Sequence, residues 1–278
     1  MRSCTLREHQ LAMLDILKVF ASFCEEHNLR YFLDAGTLLG AVRHQGFIPW
    51  DNDADVCMPR PDFDKFFELL KQNDFKLNDH LVLEIPENTI YTFFKIGDTR
   101  TKLIEFPNDN PIECYVYIDV FVKDGLPSNL KKAKRICDKN KRLMLYHWFY
   151  KYSLVKWPKG KNLFKKIIAN IVNLFVKNKN KAYFKQRDYI KKINNKYPYE
   201  TCKYVTTLSN GEYFRLCKKS SFDDYIIMSF ENLEFRVPVG YKDWLTILYG
   251  EDYMIIPPEE KRMIHQVLVM VRNDFRNE

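Results

Sequence analysis

The sequence has no long hydrophobic run. Its longest apolar stretch, residues 167–176, is interrupted by Asn170 and Asn173, whereas a helix needs about 20 apolar residues to span a bilayer. Charged residues also interrupt the N-terminal segment, so it does not have the apolar core of a secretory signal peptide. We therefore expect neither a transmembrane helix nor a secretory signal, and we expect a cytoplasmic protein.

The usual cysteine and histidine patterns of zinc sites are also missing. The seven cysteines contain no C-x-x-C pair, and the six histidines show no H-x-x-x-H spacing. We expect reduced, structural cysteines and no zinc site. With 278 residues, of which 46% are hydrophobic, the chain is long enough to bury a substantial core, which excludes a disordered protein and a disulfide scaffold.

Positive charge is concentrated in one part of the chain. Residues 131–203 contain 22 Lys and Arg but only 3 Asp and Glu, whereas residues 1–130 contain 13 and 21. The asymmetry suggests an acidic part that binds metal and a basic part that faces a polyanion.

Hydrophobic periodicity predicts an α/β arrangement with a central sheet in the first 125 residues. A capping box formed by Thr5 and Glu8 begins the first predicted helix, and Gly36 opens a turn between a strand and a second helix. Asn210-Gly211 is a hairpin signal. The predicted helices are 6–27, 62–71, 241–249 and most of 128–198, with an interruption near Trp157; the predicted strands are 31–35, 47–58, 81–85, 91–96 and 115–122.

Three aspartates, Asp51, Asp53 and Asp55, alternate along the predicted strand 47–58, which would place their side chains on one face. Adjacent carboxylates between large apolar residues are costly unless a cation neutralises them, and hard oxygen ligands favour Mg²⁺ or Mn²⁺. An EF-hand is excluded because Val56 and Asp62 stand where its Gly and Glu are required. A solvated acidic strand end remains the alternative.

Asp119 is a further candidate ligand, since it lies in the β-branched and aromatic strand segment 117–121. Beside Asp53 and Asp55 it would complete the carboxylate cluster that two-metal phosphoryl transfer requires. The alternative is an Asp that pairs with a nearby Lys or caps a turn.

The Gly36-Thr37 turn stands at a helix start, where backbone N–H groups and a hydroxyl can hold phosphate oxygens. It is not a Walker A loop, because Ala41 and Val42 stand where Gly and Lys would be. Arg43 follows on the same helix and could pair with a diphosphate. A structural turn and a surface salt bridge are the respective alternatives.

Residues 33–56, with the sequence LDAGTLLGAVRHQGFIPWDNDADV, closely resemble the signature of the LicD-type phosphocholine transferase family. This family is related to the fukutins and belongs to the nucleotidyltransferase superfamily. Further matches are residues 117–121, 230–231, 237–238, 249–254, 257–258 and 261–262. The resemblance implies an α/β (α+β) fold, with a mixed sheet flanked by helices in a nucleotidyltransferase-like core at 1–127 and a C-terminal part at 204–278 that completes the site. Residues 128–203 match no family motif, and their lysine-rich helical pattern predicts a basic helical insertion.

The resemblance also implies roles for individual residues. Asp53, Asp55 and Asp119 would bind Mg²⁺ or Mn²⁺, and Asp119, or alternatively Asp51, would accept the proton of the acceptor. The phosphates would be bound by Gly36, Thr37, Arg43 and Lys95.

The implied donor is CDP-choline or a similar CDP-alcohol. A sugar hydroxyl of a cell-surface glycan, or of its lipid-linked precursor, would attack the phosphorus nearer the alcohol and release CMP. One alternative is a nucleotidyltransferase that transfers NMP from an NTP. Another is a catalytically inert basic module that binds RNA or membrane.

Residues 162–179 combine a broad apolar face with flanking lysines. This mixture favours peripheral binding to anionic lipid at the inner face of the membrane, although a buried core helix explains the apolar residues equally well. Nucleic acid is a weaker candidate, because a broad apolar face has no use against phosphate backbones.

Overall fold

The computed structural model describes residues 2–86, 91–105, 112–154, 179–209, 215–262 and 267–271. Within these ranges the helices are α1 (Leu6–Glu26), α2 (Ala35–His44), α3 (Arg60–Lys71), α4 (Leu130–Leu154), α5 (Lys179–Lys196) and α6 (Tyr241–Tyr249). The strands are β1 (Arg2–Ser3), β2 (Phe32–Leu33), β3 (Asp55–Pro59), β4 (Leu81–Glu84), β5 (Phe94–Glu105), β6 (Ile112–Leu126), β7 (Tyr204–Thr207), β8 (Cys217–Lys218), β9 (Tyr225–Phe230), β10 (Leu233–Pro238) and β11 (Val267–Val271).

A nine-stranded mixed sheet forms the centre of the protein, with the path β1-β11-β5-β6-β3-β2. Strand β4 adds to β5, and β7 and β8 add beyond β6. The pair β3 and β6 is parallel, and the other recorded pairs are antiparallel. The prediction of an α/β fold with a central mixed sheet flanked by helices is confirmed.

Helix α1 begins as the sequence predicts. Thr5 and Glu8 form the reciprocal capping box, in which the Glu8 N–H donates to Thr5 Oγ1 and the Thr5 N–H donates to Glu8 Oε2. Its apolar face, including Met13 and Phe20, is buried against the sheet core. Helix α3 packs Phe66 edge-on against Phe20, with ring centroids 5.7 Å apart.

The predicted strand 47–58 is wrong over its first part, because β3 begins only at Asp55. The Asp51 N–H donates to Ile48 O at 2.9 Å and closes a turn. The Gln10 side-chain amide of α1 donates to the carbonyls of Ile48 and Asp51, at 3.3 and 2.9 Å. These bonds occupy backbone groups that a strand would need for its neighbours, so residues 47–54 form a loop.

Other predicted bounds change as well. Strand β5 begins at Phe94 and continues to Glu105, instead of covering 91–96, and its pairing with β6 shifts between Asp98 and Leu103. The Thr101 hydroxyl donates to Asp98 O at 2.6 Å and accepts the Val116 N–H at 2.8 Å, which bridges the irregularity.

The basic segment contributes α4 and α5, which share a small apolar cluster that includes Ala133, Ile136 and Ile193. Lysines such as Lys131 and Lys192 are exposed on the outer sides of these helices.

Two predictions fall on residues outside the described ranges. The membrane-binding segment predicted at 162–179 lies outside them except for its last residue. The hairpin signal Asn210-Gly211 also lies outside them, although the flanking strands β7 and β8 pair as in a hairpin. In the part of the chain that is described, no helix is both long and apolar enough to cross a membrane.

Candidate active site

Strands β3, β5 and β6 bring two carboxylates and one ammonium group together. Asp55 on β3 lies in register with Asp119 on β6. Strand β5 pairs with the opposite edge of β6, and its Lys95 is also in register with Asp119. Residues in register on paired strands project from the same face of the sheet. The parallel pairing is anchored where the Asp119 N–H donates to Ala54 O at 2.8 Å.

The electrostatic environment of Asp55 is unfavourable for a carboxylate. Its side chain is buried, and burial together with the charges of Asp53, Asp119 and Asp51 raises its pKa well above the usual range. Within the described ranges, no Lys, Arg or His forms an ion pair with Asp55. The position therefore favours a neutral acid or a carboxylate that is compensated by a cation.

Asp51 and Asp53 approach this cluster from the loop that precedes β3, so the predicted period-two placement of all three aspartates on one strand is wrong. Asp51 lies against the start of α2, where a Cβ added to Gly36 would meet Asp51 Oδ2 at 2.7 Å. A side chain at position 36 would therefore displace the Asp51 carboxylate from this position. The acidic cluster that the sequence indicated is therefore present, but Asp51 and Asp53 belong to a loop and only Asp55 belongs to the strand.

Lys95 is the buried partner of Asp119. Its Nζ donates to Asp119 Oδ1 at 2.8 Å, and it lies 3.1 and 3.9 Å from the ring centroids of Tyr117 and Tyr91. Burial lowers the pKa of Lys95 despite the attraction of Asp119. The alternative of an Asp that pairs with a Lys therefore holds for Asp119, while phosphate binding by Lys95 stays a prediction.

The Gly36-Thr37 turn is the first turn of α2. The first helical bond runs from the Leu38 N–H to Asp34 O at 2.9 Å, so the N–H groups of Gly36 and Thr37 have no acceptor within their own helix. The Thr37 hydroxyl accepts the Asp55 N–H at 2.8 Å and is buried, which ties the turn to the first residue of β3. It retains one hydrogen to donate.

Arg43 lies at the other end of α2, about 10 Å along the axis from Gly36 at the usual helical rise. Its Nη1 donates to the carbonyls of Tyr253 and Ile255, at 2.8 and 3.3 Å. Arg43 therefore holds the C-terminal segment through backbone carbonyls. These hydrogen bonds are not a surface salt bridge, which was the alternative, and they do not involve a phosphate. The role of Arg43 as a phosphate ligand stays a prediction.

The same C-terminal segment reaches the acidic loop at a second point. The Arg262 guanidinium lies 4.3 Å from the ring centroid of Trp50, next to Asp51 in sequence. Burial and the charges of Asp55 and Asp34 raise the pKa of Tyr249 at the end of α6. Sequence reasoning noted Tyr249 only as part of a motif and assigned it no role.

His9 of α1 is a site residue that the sequence reasoning missed. It is buried, and burial lowers its pKa to about 4, although the nearby charge of Asp53 acts in the opposite direction. A neutral imidazole therefore lies beside the acidic loop. Its position among the apolar residues of an amphipathic helix was the available signal.

Glu231 supports the end of α2 from the β9–β10 hairpin, whose two turn residues have φ values of 55° and 60°. Its carboxylate accepts the Phe47 N–H at 3.0 Å and both Nη groups of Arg7. The Arg7 hydrogen bond, against a smaller burial effect, lowers the pKa of Glu231. The carboxylate thereby fixes the start of the loop that carries Asp51 and Asp53.

The donor set of the cluster fits a hard divalent cation. It consists of carboxylate oxygens, and Asp55 is buried among negative charges, which is the environment that Mg²⁺ or Mn²⁺ stabilises. In the part of the chain that is described, no group of three or more His, Cys, Asp or Glu side chains is arranged to hold a metal ion as it stands. The identity and the use of a metal ion therefore stay proposals.

Comparison with known proteins supplies the family. A family model described as LicD/FKTN/FKRP, nucleotidyltransferase domain, matches residues 28–159. The chain is also 34% identical over 277 residues to the lipopolysaccharide cholinephosphotransferase LicD of Haemophilus influenzae, covering 96% of this chain and 98% of that protein. The chain belongs to the LicD family. The motif resemblance at residues 33–56 is thereby confirmed.

Two further relatives match shorter parts of this LicD family chain. The human ribitol 5-phosphate transferase FKRP is 40% identical over 53 residues, which are 19% of this chain and 10% of that protein. Mannosyltransferase regulator 4 of Saccharomyces cerevisiae is 32% identical over 116 residues, or 41% of this chain and 9% of that protein. All the predicted site residues lie inside the LicD domain match, whereas Glu231 and Tyr249 lie beyond it.

Proposed function

We propose that this LicD family protein transfers phosphocholine from a CDP-choline donor to a hydroxyl group of a lipopolysaccharide-type glycan, with release of CMP. The observation that carries the proposal is the 34% identity along 96% of the chain to a lipopolysaccharide cholinephosphotransferase. The short match to a ribitol 5-phosphate transferase supports the same class of reaction, the transfer of a phosphorylated alcohol.

In this proposal the acceptor oxygen attacks the phosphorus nearer choline, and the bond from that phosphorus to the oxygen that bridges the two phosphates breaks. CMP leaves with the electron pair of that bond, and a phosphodiester remains on the glycan. The N–H groups of Gly36 and Thr37 and the Thr37 hydroxyl are suited to hold phosphate oxygens. Arg43 and Lys95 are retained as proposed phosphate ligands, since neither has been tested in that role.

Asp53, Asp55 and Asp119 would hold the metal, which would neutralise negative charge on the diphosphate. We propose Asp119 as the residue that accepts the proton of the acceptor hydroxyl, with Asp51 as the alternative. Lys95 donates to Asp119 Oδ1 and so holds the Asp119 carboxylate in a fixed orientation for this step.

The donor is tested by incubating the protein with Mg²⁺, a glycan acceptor and, separately, CDP-choline, other CDP-alcohols and NTPs. Chromatography then separates CMP from pyrophosphate, and the acceptor is analysed for phosphocholine by mass spectrometry. We expect CMP and choline-modified glycan in equal amounts. Release of pyrophosphate with attachment of NMP would instead establish the alternative nucleotidyltransferase.

We further propose that the enzyme works at the inner face of the membrane, because a lipid-linked acceptor would be concentrated there. The excess of lysine and arginine in residues 131–203 supports attraction to anionic lipid. Sedimentation with anionic and neutral vesicles at low and high salt tests this proposal. Binding should require anionic lipid and weaken as salt screens the charges; equal recovery in the supernatant under all four conditions would contradict it.

A further inference from the structure

A second buried ion pair lies beside the acidic cluster, and the proposed mechanism assigns no role to it. Lys123 of β6 donates from Nζ to Asp34 Oδ2 at 2.6 Å, and both side chains are almost completely buried. Burial acts against the Lys123 ammonium, but Asp34, together with the nearby Cys57 and Cys217, outweighs it, and the pKa of Lys123 is raised. The Lys123 Nζ also lies 4.1 Å from the ring centroid of Trp244.

Asp34 connects this pair to the phosphate-binding turn. Its Oδ1 accepts the indole N–H of Trp244 at 2.5 Å and the N–H of Ala35 at 2.9 Å. Its own N–H donates to Asp55 O at 2.9 Å. Both oxygens and the backbone amide of Asp34 are therefore engaged at the residue immediately before α2.

The backbone conformation of Ala35 indicates that this ion pair does more than fill the core. It begins α2 with a φ of 42°, in the left-handed region that side chains with a Cβ rarely adopt. Such a conformation persists only when the surrounding contacts impose it, and it occurs preferentially at functional sites. Gly36 and Thr37 follow directly, so the conformation of Ala35 sets the direction of their N–H groups.

We propose that Lys123, Asp34 and Trp244 form a positioning network that holds Ala35 in the left-handed conformation and thereby aims the Gly36-Thr37 turn at the donor phosphates. This inference deepens the proposed transfer reaction and rests on it. The three residues do not touch the substrate in this account. They act through the backbone of residues 35–37.

The first test measures steady-state kinetics of Trp244→Phe, which keeps a ring but removes the donor to Asp34. We expect kcat/KM for CDP-choline to fall about tenfold, the usual scale for the loss of a group that orients a binding residue, while the KM for the glycan acceptor stays unchanged. The matched control is Tyr199→Phe, which removes the buried hydroxyl that donates to Phe222 O at 3.2 Å and leaves Asp34 untouched. An equal loss in this control would overturn the network.

The second test adds Ala35→Gly. Glycine adopts positive φ at no steric cost, so we expect Ala35→Gly to restore most of the donor kcat/KM lost in Trp244→Phe. Thermal unfolding of the wild type, both single variants and the double variant measures the same coupling without activity. Ala35→Gly should change Tm more favourably in the wild type, where Ala35 is held in the left-handed conformation, than in Trp244→Phe.

Additive Tm changes together with no kinetic rescue would overturn the proposal. If Trp244→Phe does not fold, Lys123→Gln, which keeps a neutral donor near Asp34, replaces it in both tests. If the wild type transfers no phosphocholine, the proposed function fails, but the Tm cycle still decides whether the network controls Ala35.

Discussion

Two buried aspartates on neighbouring elements, Asp34 and Asp55, differ in how their charge is compensated. They are joined by the bond from the Asp34 N–H to Asp55 O. Asp34 receives hydrogen bonds from Lys123, Trp244 and the Ala35 N–H. Asp55 instead lies among carboxylates, which together with burial raise its pKa.

The difference separates a structural charge from a functional one. A buried carboxylate with a complete set of donors rigidifies the backbone around it, as Asp34 does at the start of α2. A buried carboxylate whose neighbours repel it is unfavourable in the folded protein unless a cation compensates its charge. The contrast therefore argues for a cation at the cluster of Asp53, Asp55 and Asp119.

The largest expected effect is on catalysis. We expect Asp53→Asn and Asp55→Asn each to reduce phosphocholine transfer at least about a hundredfold, because each would remove a metal ligand. Radiolabelled choline incorporation into glycan at saturating Mg²⁺ measures the loss. Full activity in either variant would eliminate the metal assignment.

The next largest effect is on stability and compares the two lysine pairs. Lys123→Met should lower the free energy of unfolding by about 3–5 kcal/mol, because it leaves Asp34 buried without its cation. Lys95→Met should cost less, since burial already disfavours the Lys95 ammonium and lowers its pKa, and added Mg²⁺ should recover part of that loss at Asp119. Urea unfolding with and without Mg²⁺ measures both. Equal losses that Mg²⁺ leaves unchanged would remove the distinction between the pairs.

A smaller effect concerns pH and His9. The pKa of His9 is about 4 in the folded protein, below the ordinary value of 6.5, so the unfolded chain binds the proton more tightly. The contribution of neutral His9 to the free energy of unfolding is therefore fully present above pH 6.5. It decreases as the pH falls towards 4, by at most about 1.4 kcal/mol per pH unit. In His9→Gln this part of the decrease should be absent from Tm measured between pH 7 and 4. An unchanged profile would show that other groups control it.

Much of the fold follows from the sequence, because capping and periodicity are local signals. The helix from Leu6, the helix after Pro61 and the strand around Asp119 form near the predicted positions. Residues 47–54 do not form the predicted strand, because Gln10, about 40 positions earlier, binds their carbonyl groups. A contact between residues so far apart in the sequence cannot be predicted from local patterns of hydrophobicity or capping.

In the candidate site, too, local patterns identify individual residues, whereas contacts between distant residues require the fold. The three metal candidates were found because acidic residues between apolar ones are unusual, and the strand register brings Asp55 and Asp119 together. The same argument applied to Lys123, a charged residue in the apolar strand 120–123, would have predicted a buried partner. Its partner Asp34 is 89 positions away, so the pairing itself required the fold.

The most direct test compares Asp55→Asn with Asp34→Asn by thermal unfolding at neutral pH, in metal-free buffer and with Mg²⁺. In metal-free buffer Asp55→Asn should keep or raise Tm, because it removes repulsion among carboxylates, whereas Asp34→Asn should lower Tm because Lys123 loses its counter-charge. Mg²⁺ should raise the Tm of the wild type and of Asp34→Asn but not that of Asp55→Asn. A lower Tm for Asp55→Asn in metal-free buffer, together with an undiminished Mg²⁺ shift, would contradict a cation-binding role for Asp55.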